Sequence, residues 1–157
     1  KIEYDYIMWI DSDTVFTVKD FQTLLNHNKN IISGLYLMED KPSSFNTIVN
    51  FNKIFFKKYG YFELFDIKTH KKLQTNNKII TVDYTGFGFV LIKHGVFESI
   101  EYPWFRPVWE TFFPKGSNYR EFSSEDSGLW YALKKKGYKI YIDLDVVLGH
   151  EKSFVLR

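Results

Sequence analysis

Tyr6-Ile7-Met8-Trp9-Ile10 is an unbroken apolar and aromatic run that Asp11-Ser12-Asp13 cuts off abruptly. Such a run predicts a strand buried on both faces, ending at the sheet edge where α/β proteins bind their ligands. Acids two positions apart project to one side if the extended geometry persists. Carboxylates held that close repel unless something positive lies between them. A divalent cation of the Mg²⁺ or Mn²⁺ type suits the pair, because it takes oxygen ligands and keeps positions open for phosphate oxygens. The plainer reading of the same residues is a polar turn after a buried strand, with Asp13 capping the next helix.

At 157 residues the chain is expected to form one domain with a real core. Aromatic residues make up 20% of it, 16 Phe and 11 Tyr among them, enough to fill a core and still line a groove for sugars or bases. A net charge of +2 gives no argument for nucleic-acid binding. The lack of cysteine excludes disulfides and thiolate metal sites. No apolar run approaches the roughly 20 residues that span a bilayer and no signal peptide is visible, so a cytoplasmic protein is expected. The chain opens only a few residues before its first core strand and without an initiator Met, so a segment preceding Lys1 is expected as well.

Further along, Thr17 is a plausible cap for a helix whose Phe21, Leu24 and Leu25 form an apolar stripe. Residues 31–37 read as a second buried strand, where Gly34 serves either packing or the close approach of a ligand. Residues 51–58 and 61–67 read as aromatic strands of a hairpin around Tyr59-Gly60, followed by a basic turn over 69–78. The lysines there, Lys57, Lys58, Lys71 and Lys72, read as a solvated face. Residues 79–84 and 90–92 are strands on either side of Thr85-Gly86-Phe87-Gly88-Phe89, a side-chain-poor bend that lets backbone pass beneath a substrate. A short helix over 94–100 turns Val96, Phe97 and Ile100 inward. Trp104, Phe105 and Trp109 make either an aromatic wall for sugar rings or a structural plug, and residues 110–122 read as a lid-like loop. Ser123 or Ser124 caps a helix carrying Glu125 and Asp126 in its first turn, Leu129, Ala132 and Leu133 on its core face, and Gly137 at its stop. Strands over 138–142 and 146–148 lead to Gly149-His150-Glu151-Lys152.

Taken in order, Trp9 to Asp13, Ser33 to Tyr36, Thr85 to Phe89, Tyr102 to Phe105, Glu125 to Ser127 and Gly149 to Lys152 resemble a known pattern. It is that of metal-dependent nucleotide-sugar glycosyltransferases of the glycosyltransferase-A fold, nearest the family-2-like enzymes of bacteria, phages and large DNA viruses. The resemblance implies an α/β fold with a mixed sheet flanked by helices. It also implies that residues 1–157 are the C-terminal portion of a single catalytic domain, lacking the N-terminal nucleotide-binding βαβ part, because the DxD pair begins at position 11.

By the same resemblance, Asp11 and Asp13 hold Mn²⁺ or Mg²⁺ against the diphosphate of a nucleotide-sugar donor, a UDP-sugar, with His150 as third ligand. Asp126 corresponds to the general base of inverting members, and Glu125 orients it or touches the acceptor. Ser33, Gly34, Gly86, Phe87 and Gly88 correspond to donor-pocket walls, and Trp104 and Phe105 to a platform for a glycan or other hydroxyl acceptor. The chemistry is coherent in itself. A diphosphate leaves well only if its developing charge is neutralised, the acceptor hydroxyl must lose a proton, and a helix N-terminus is expected to keep Asp126 ionised.

Two other classes fit parts of the chain. Asp11-Ser12-Asp13-Thr14-Val15 matches the DxDx[TV] opening of haloacid-dehalogenase-type phosphatases, which leaves His150 and the Trp-rich segment without a role. A non-catalytic carbohydrate-binding module accounts for the aromatic surplus.

Overall fold

The structure, a computed structural model, describes residues 3–108 and 124–152. Trp109, Ser123 and the loop expected over 110–122 lie outside the described residues. Within them the protein is a mixed α/β structure in which antiparallel strand pairs predominate. Strand β8 (Ile140–His150) is the central element, eleven residues long, joining into one strand what the sequence suggests are two. It pairs in parallel with β3 (Ile31–Tyr36), which is antiparallel to β7 (Phe89–Lys93), which is antiparallel in turn to β1 (Tyr6–Ile10). On its other side β8 pairs antiparallel with β5 (Ile79–Val82) over its first half and with β2 (Thr14–Val15) at its far end. A two-stranded ribbon of β4 (Thr47–Ile48) and β6 (Tyr84–Thr85) stands apart.

The first strand is thus not buried on both faces. Within the described sheet β1 is an edge strand with β7 as its sole partner, and Trp9 and Ile10 stay 39% and 41% exposed. The fully buried strand is β3, with β7 and β8 beside it. Between Ser33 and Leu35 the register jumps, so residues 143–146 of β8 bulge opposite Gly34. The bulge presses Val146 onto Gly34: a Cβ there would lie 2.8 Å from Val146 Cγ1. Packing, rather than ligand approach, explains the glycine.

Helix α1 (Val18–Asn26) is capped by Thr17, whose hydroxyl and backbone exchange bonds with Asp20 in a capping box. Asp13 is therefore not its cap. Leu24 is buried in the core while Leu25 is exposed.

The hairpin expected around Gly60 is instead a helix pair. Asn52 caps α2 (Lys53–Tyr59), Gly60 ends it with φ +78, and Asp66 caps α3 (Ile67–Gln74) over the supposed turn. Aromatic richness suggested strands, but side-chain caps at both starts and a left-handed glycine outweighed that preference. His70 then ties α3 to the sheet through the carbonyl of Leu144, 2.8 Å away. The helix expected over 94–100 shortens to a single 3₁₀ turn, Phe97–Ser99, with Val96 and Phe97 buried as anticipated.

Helix α4 (Glu125–Lys135) is capped by Ser124, and Gly137 follows its end at φ +90. Leu129 and Leu133 are buried, Ala132 only partly, and the third core residue of the helix is Trp130. Its indole N–H donates to the Thr85 carbonyl at 2.6 Å, fastening α4 to the glycine bend. No helix among the described residues is long and apolar enough to cross a membrane.

Candidate active site

Backbone pairing assembles the site. Thr14 lies opposite His150 in the β2–β8 ladder, and the Glu151 N–H donates to the Asp13 carbonyl at 2.8 Å. The turn that precedes β2 hangs on one atom: the Gly88 carbonyl accepts from the Asp11 N–H and from the Thr14 hydroxyl, each at 3.0 Å. Thr14 N–H also donates back to the Asp11 carbonyl at 3.1 Å, so the chain turns after β1 instead of running on extended. The two acids consequently face different neighbours. The Asp11 carboxylate lies against Gly88, 3.2 Å from where a Cβ would stand there. The Asp13 carboxylate meets His150 Nε2 at 3.1 Å and the Lys152 ammonium at 2.7 Å. These contacts hold the Asp13 carboxyl below its ordinary range, the Lys152 hydrogen bond first and the His150 charge after it.

His150 is oriented from behind. Its Nδ1 stands 2.9 Å from the Leu37 carbonyl, which can only accept, so Nδ1 carries the proton and Nε2 turns to Asp13. Tyr36 packs its ring edge-on to the imidazole, centroids 5.2 Å apart. An electron-rich Nε2 facing a carboxylate oxygen requires a positive charge, either a proton on the ring or a shared cation. An imidazole beside carboxylate oxygens suits Mn²⁺ better than the oxygen-preferring Mg²⁺. Among the described residues, however, no three Asp, Glu or His side chains are already drawn together as a finished metal site. The cation held by Asp13 is the Lys152 ammonium.

Glu125 and Asp126 open α4, and Asp126 is near enough to Asp11 to feel its charge. Half-buried, Asp126 is pushed up to about 6, by burial first and then by the charges of Glu125 and Asp11. Desolvation and two neighbouring acids thus outweigh the helix dipole that was expected to keep it readily ionised. Tyr36 senses the same charges: burial chiefly, with Asp11 and Asp126 adding, raises its phenol. Its oxygen accepts from Asn46 Nδ2 at 3.1 Å and from the Gly88 N–H at 3.3 Å.

The remaining expected site residues divide. A Cβ on Gly86 would lie 2.0 Å from the Tyr36 hydroxyl oxygen and 2.2 Å from Asn46 Nδ2, and one on Gly88 2.9 Å from the Tyr36 ring. Both glycines make room beneath the site, but the groups that fill it are Tyr36 and Asn46. Ser33 is buried and its hydroxyl donates to the Phe89 carbonyl at 2.9 Å, and Gly34 faces Val146, so neither forms a pocket wall. Phe87 belongs to the core, stacked on Trp130 at 4.7 Å with Trp9 and Phe105 at its edges. Phe105 packs on Trp9 and Phe87, the structural plug of the two alternatives. Trp104 leans on Phe97 and lines a cleft of about 600 Å³ beside α4.

Sequence reasoning gave Lys152, Tyr36 and Asn46 no role. Lys152 was within reach of it, since two residues past His150 on extended chain is the same side. Asn46 carries no such signal, because the fold alone carries it across to Gly86.

No family model matches the chain, and no curated protein matches it. Among solved structures the protein is similar to A197 from STIV, with a TM-score of 0.50 and 16% identity, covering 98% of this chain and 70% of that one. At that identity the likeness is one of fold alone.

Proposed function

We propose that this chain carries the catalytic centre of a metal-dependent glycosyltransferase with a glycosyltransferase-A-like fold, transferring a sugar from a nucleotide-diphosphate donor to an acceptor hydroxyl with inversion. The observation that carries the reading is the meeting of Asp13 with His150, 3.1 Å apart across 137 positions of sequence, with Asp126 at a helix start near enough to Asp11 to feel its charge. Asp13 and His150 are the residues that would hold Mn²⁺ or Mg²⁺, with Asp11 in the adjoining turn. A cation bound there supplies charge neutralisation for the departing diphosphate.

The chain's own groups do the rest. Asp126 accepts the proton of the attacking hydroxyl, a general-base contribution of about 10²–10⁴-fold. A carboxyl pushed up to about 6 is still ionised at neutral pH and a better base than an ordinary aspartate. Glu125, in the same helical turn, raises Asp126 by its charge and in this reading orients it or touches the acceptor. The Leu37 carbonyl fixes the His150 tautomer, so Nε2 is the nitrogen presented to a cation. Attack from the side opposite the diphosphate inverts the anomeric carbon.

The deciding experiment is titration calorimetry of the chain with a UDP-sugar in the presence and absence of Mn²⁺, repeated with Asp13→Ala. Mn²⁺-dependent donor binding that disappears in the variant is expected. Heats unchanged by Asp13→Ala refute the assignment, and cleavage of phosphate esters by the same chain points to the phosphatase chemistry instead.

A further inference from the structure

Helix α2 has no buried residue, although three of its seven positions are Ile or Phe and its last is Tyr. Ile54 is 82% exposed, Tyr59 48% and the adjacent Tyr61 53%. Phe55 joins the two tyrosines, its ring 4.6 Å from Tyr59 and 5.6 Å from Tyr61. The result is an exposed isoleucine and an aromatic, phenolic cluster on the outside of the protein, carried by one short helix and the residue that follows its stop.

The charges on the helix itself have one sign. Lys53, Lys57 and Lys58 stand on the same helix and no acid does. The Lys58 ammonium sits 4.9 Å from the Tyr59 ring centre, and Lys41 reaches in from the preceding loop to 5.4 Å from the Tyr61 ring. Residues 53–78 hold seven lysines against two acids, Glu63 and Asp66, a net +5 in a chain whose total is +2. A solvated lysine face, as the sequence alone suggests, does not account for an isoleucine and two tyrosines displayed among those lysines.

We propose that α2 and Tyr61 form a docking surface for an anionic lipid membrane. Tyr rings prefer the boundary between headgroup and acyl chain, an outward aliphatic residue gains by entering it, and flexible lysines answer the charge of acidic headgroups. The patch contains lysine and no arginine, whereas sites that read individual phosphates of nucleic acid favour the bidentate guanidinium. Docking of this kind is peripheral. It is independent of the glycosyl-transfer reading, because none of these side chains belongs to the Asp13–His150 site.

The test is co-flotation of the purified chain with vesicles of phosphatidylcholine alone and of phosphatidylcholine mixed with phosphatidylserine, at low and high salt. Partition into the anionic vesicles that falls with salt is expected, with little into the neutral ones. Replacing Lys53, Lys57 and Lys58 together by Gln should weaken it by roughly a hundredfold, as about one kilocalorie per lysine near such a surface implies. Ile54→Ser with Tyr59→Ser should weaken it while leaving circular dichroism unchanged. Absence of flotation, equal partition into both vesicle types, or partition untouched by the lysine substitutions overturns the proposal. So does a dimer in sedimentation that the Ile54/Tyr59 variant dissolves, which makes the patch a contact between copies.

Discussion

Replacing Gly128 by alanine tests how α4 is held, because helix propensity and tertiary packing predict opposite signs. In an open helix interior the change gains about 0.5–1 kcal/mol, since glycine gives up more backbone freedom on folding. Here the added Cβ would lie 1.9 Å from the Arg106 carbonyl oxygen and 3.1 Å from Val108 Cγ2. Carbon and oxygen settle no closer than about 3.3 Å, so helix and strap must part by roughly 1.4 Å. The helix has nowhere to retreat: Leu129, Trp130 and Leu133 are fully buried behind it, and the indole is bonded to Thr85. Overpacking against backbone costs about 1–3 kcal/mol and more when neither side yields. Setting the propensity gain against it leaves a net loss of about 1–2 kcal/mol. For a chain of this size that is a fall in Tm of about 2–8 °C. Urea and thermal unfolding of Gly128→Ala beside the unaltered chain, with equal m-values, would read it directly. A variant as stable as the parent, or more so, refutes the packing of α4 against the 106–108 segment and with it the placement of Asp126.

The ionisation of Asp126 sets a pH dependence of both activity and stability. Its carboxyl is raised in the folded protein, so transfer should climb with pH through about 6 and Asp126→Asn should abolish it while donor binding persists. Full turnover by that variant moves the base elsewhere. The linked stability runs the other way: a raised acid pKa leaves folding unpenalised below the ordinary aspartate range and penalises it increasingly as pH rises through about 6. Asp126→Asn should therefore stabilise the protein at pH 8 and not at pH 4, by comparison of melting temperatures. Lys152→Met removes the ammonium now bonded to Asp13, and because such partly exposed pairs contribute modestly, Mn²⁺ affinity by calorimetry should rise by up to about fivefold. Weaker Mn²⁺ binding in that variant would mean that Lys152 supports the cation site instead of competing for it.

What the sequence determined by itself was local. Thr17 as a cap, a serine at 123 or 124 as another, Gly137 as a stop, and the apolar runs of β3 and β7 follow from contacts between near neighbours, which a linear chain displays. Tertiary structure decided whatever depends on the partner across the sheet. It made β1 an edge strand, turned the chain after Asp11, and withdrew Ser33, Gly34 and Phe87 into the core. It also brought Asp13, His150 and Lys152 to one point through the pairing of Thr14 with His150, and set Asn46 and Tyr36 in the space that Gly86 leaves. The physical reason is that propensity and periodicity act over a few residues, whereas strand register, desolvation and the meeting of distant charges are fixed only when the β8 ladder closes.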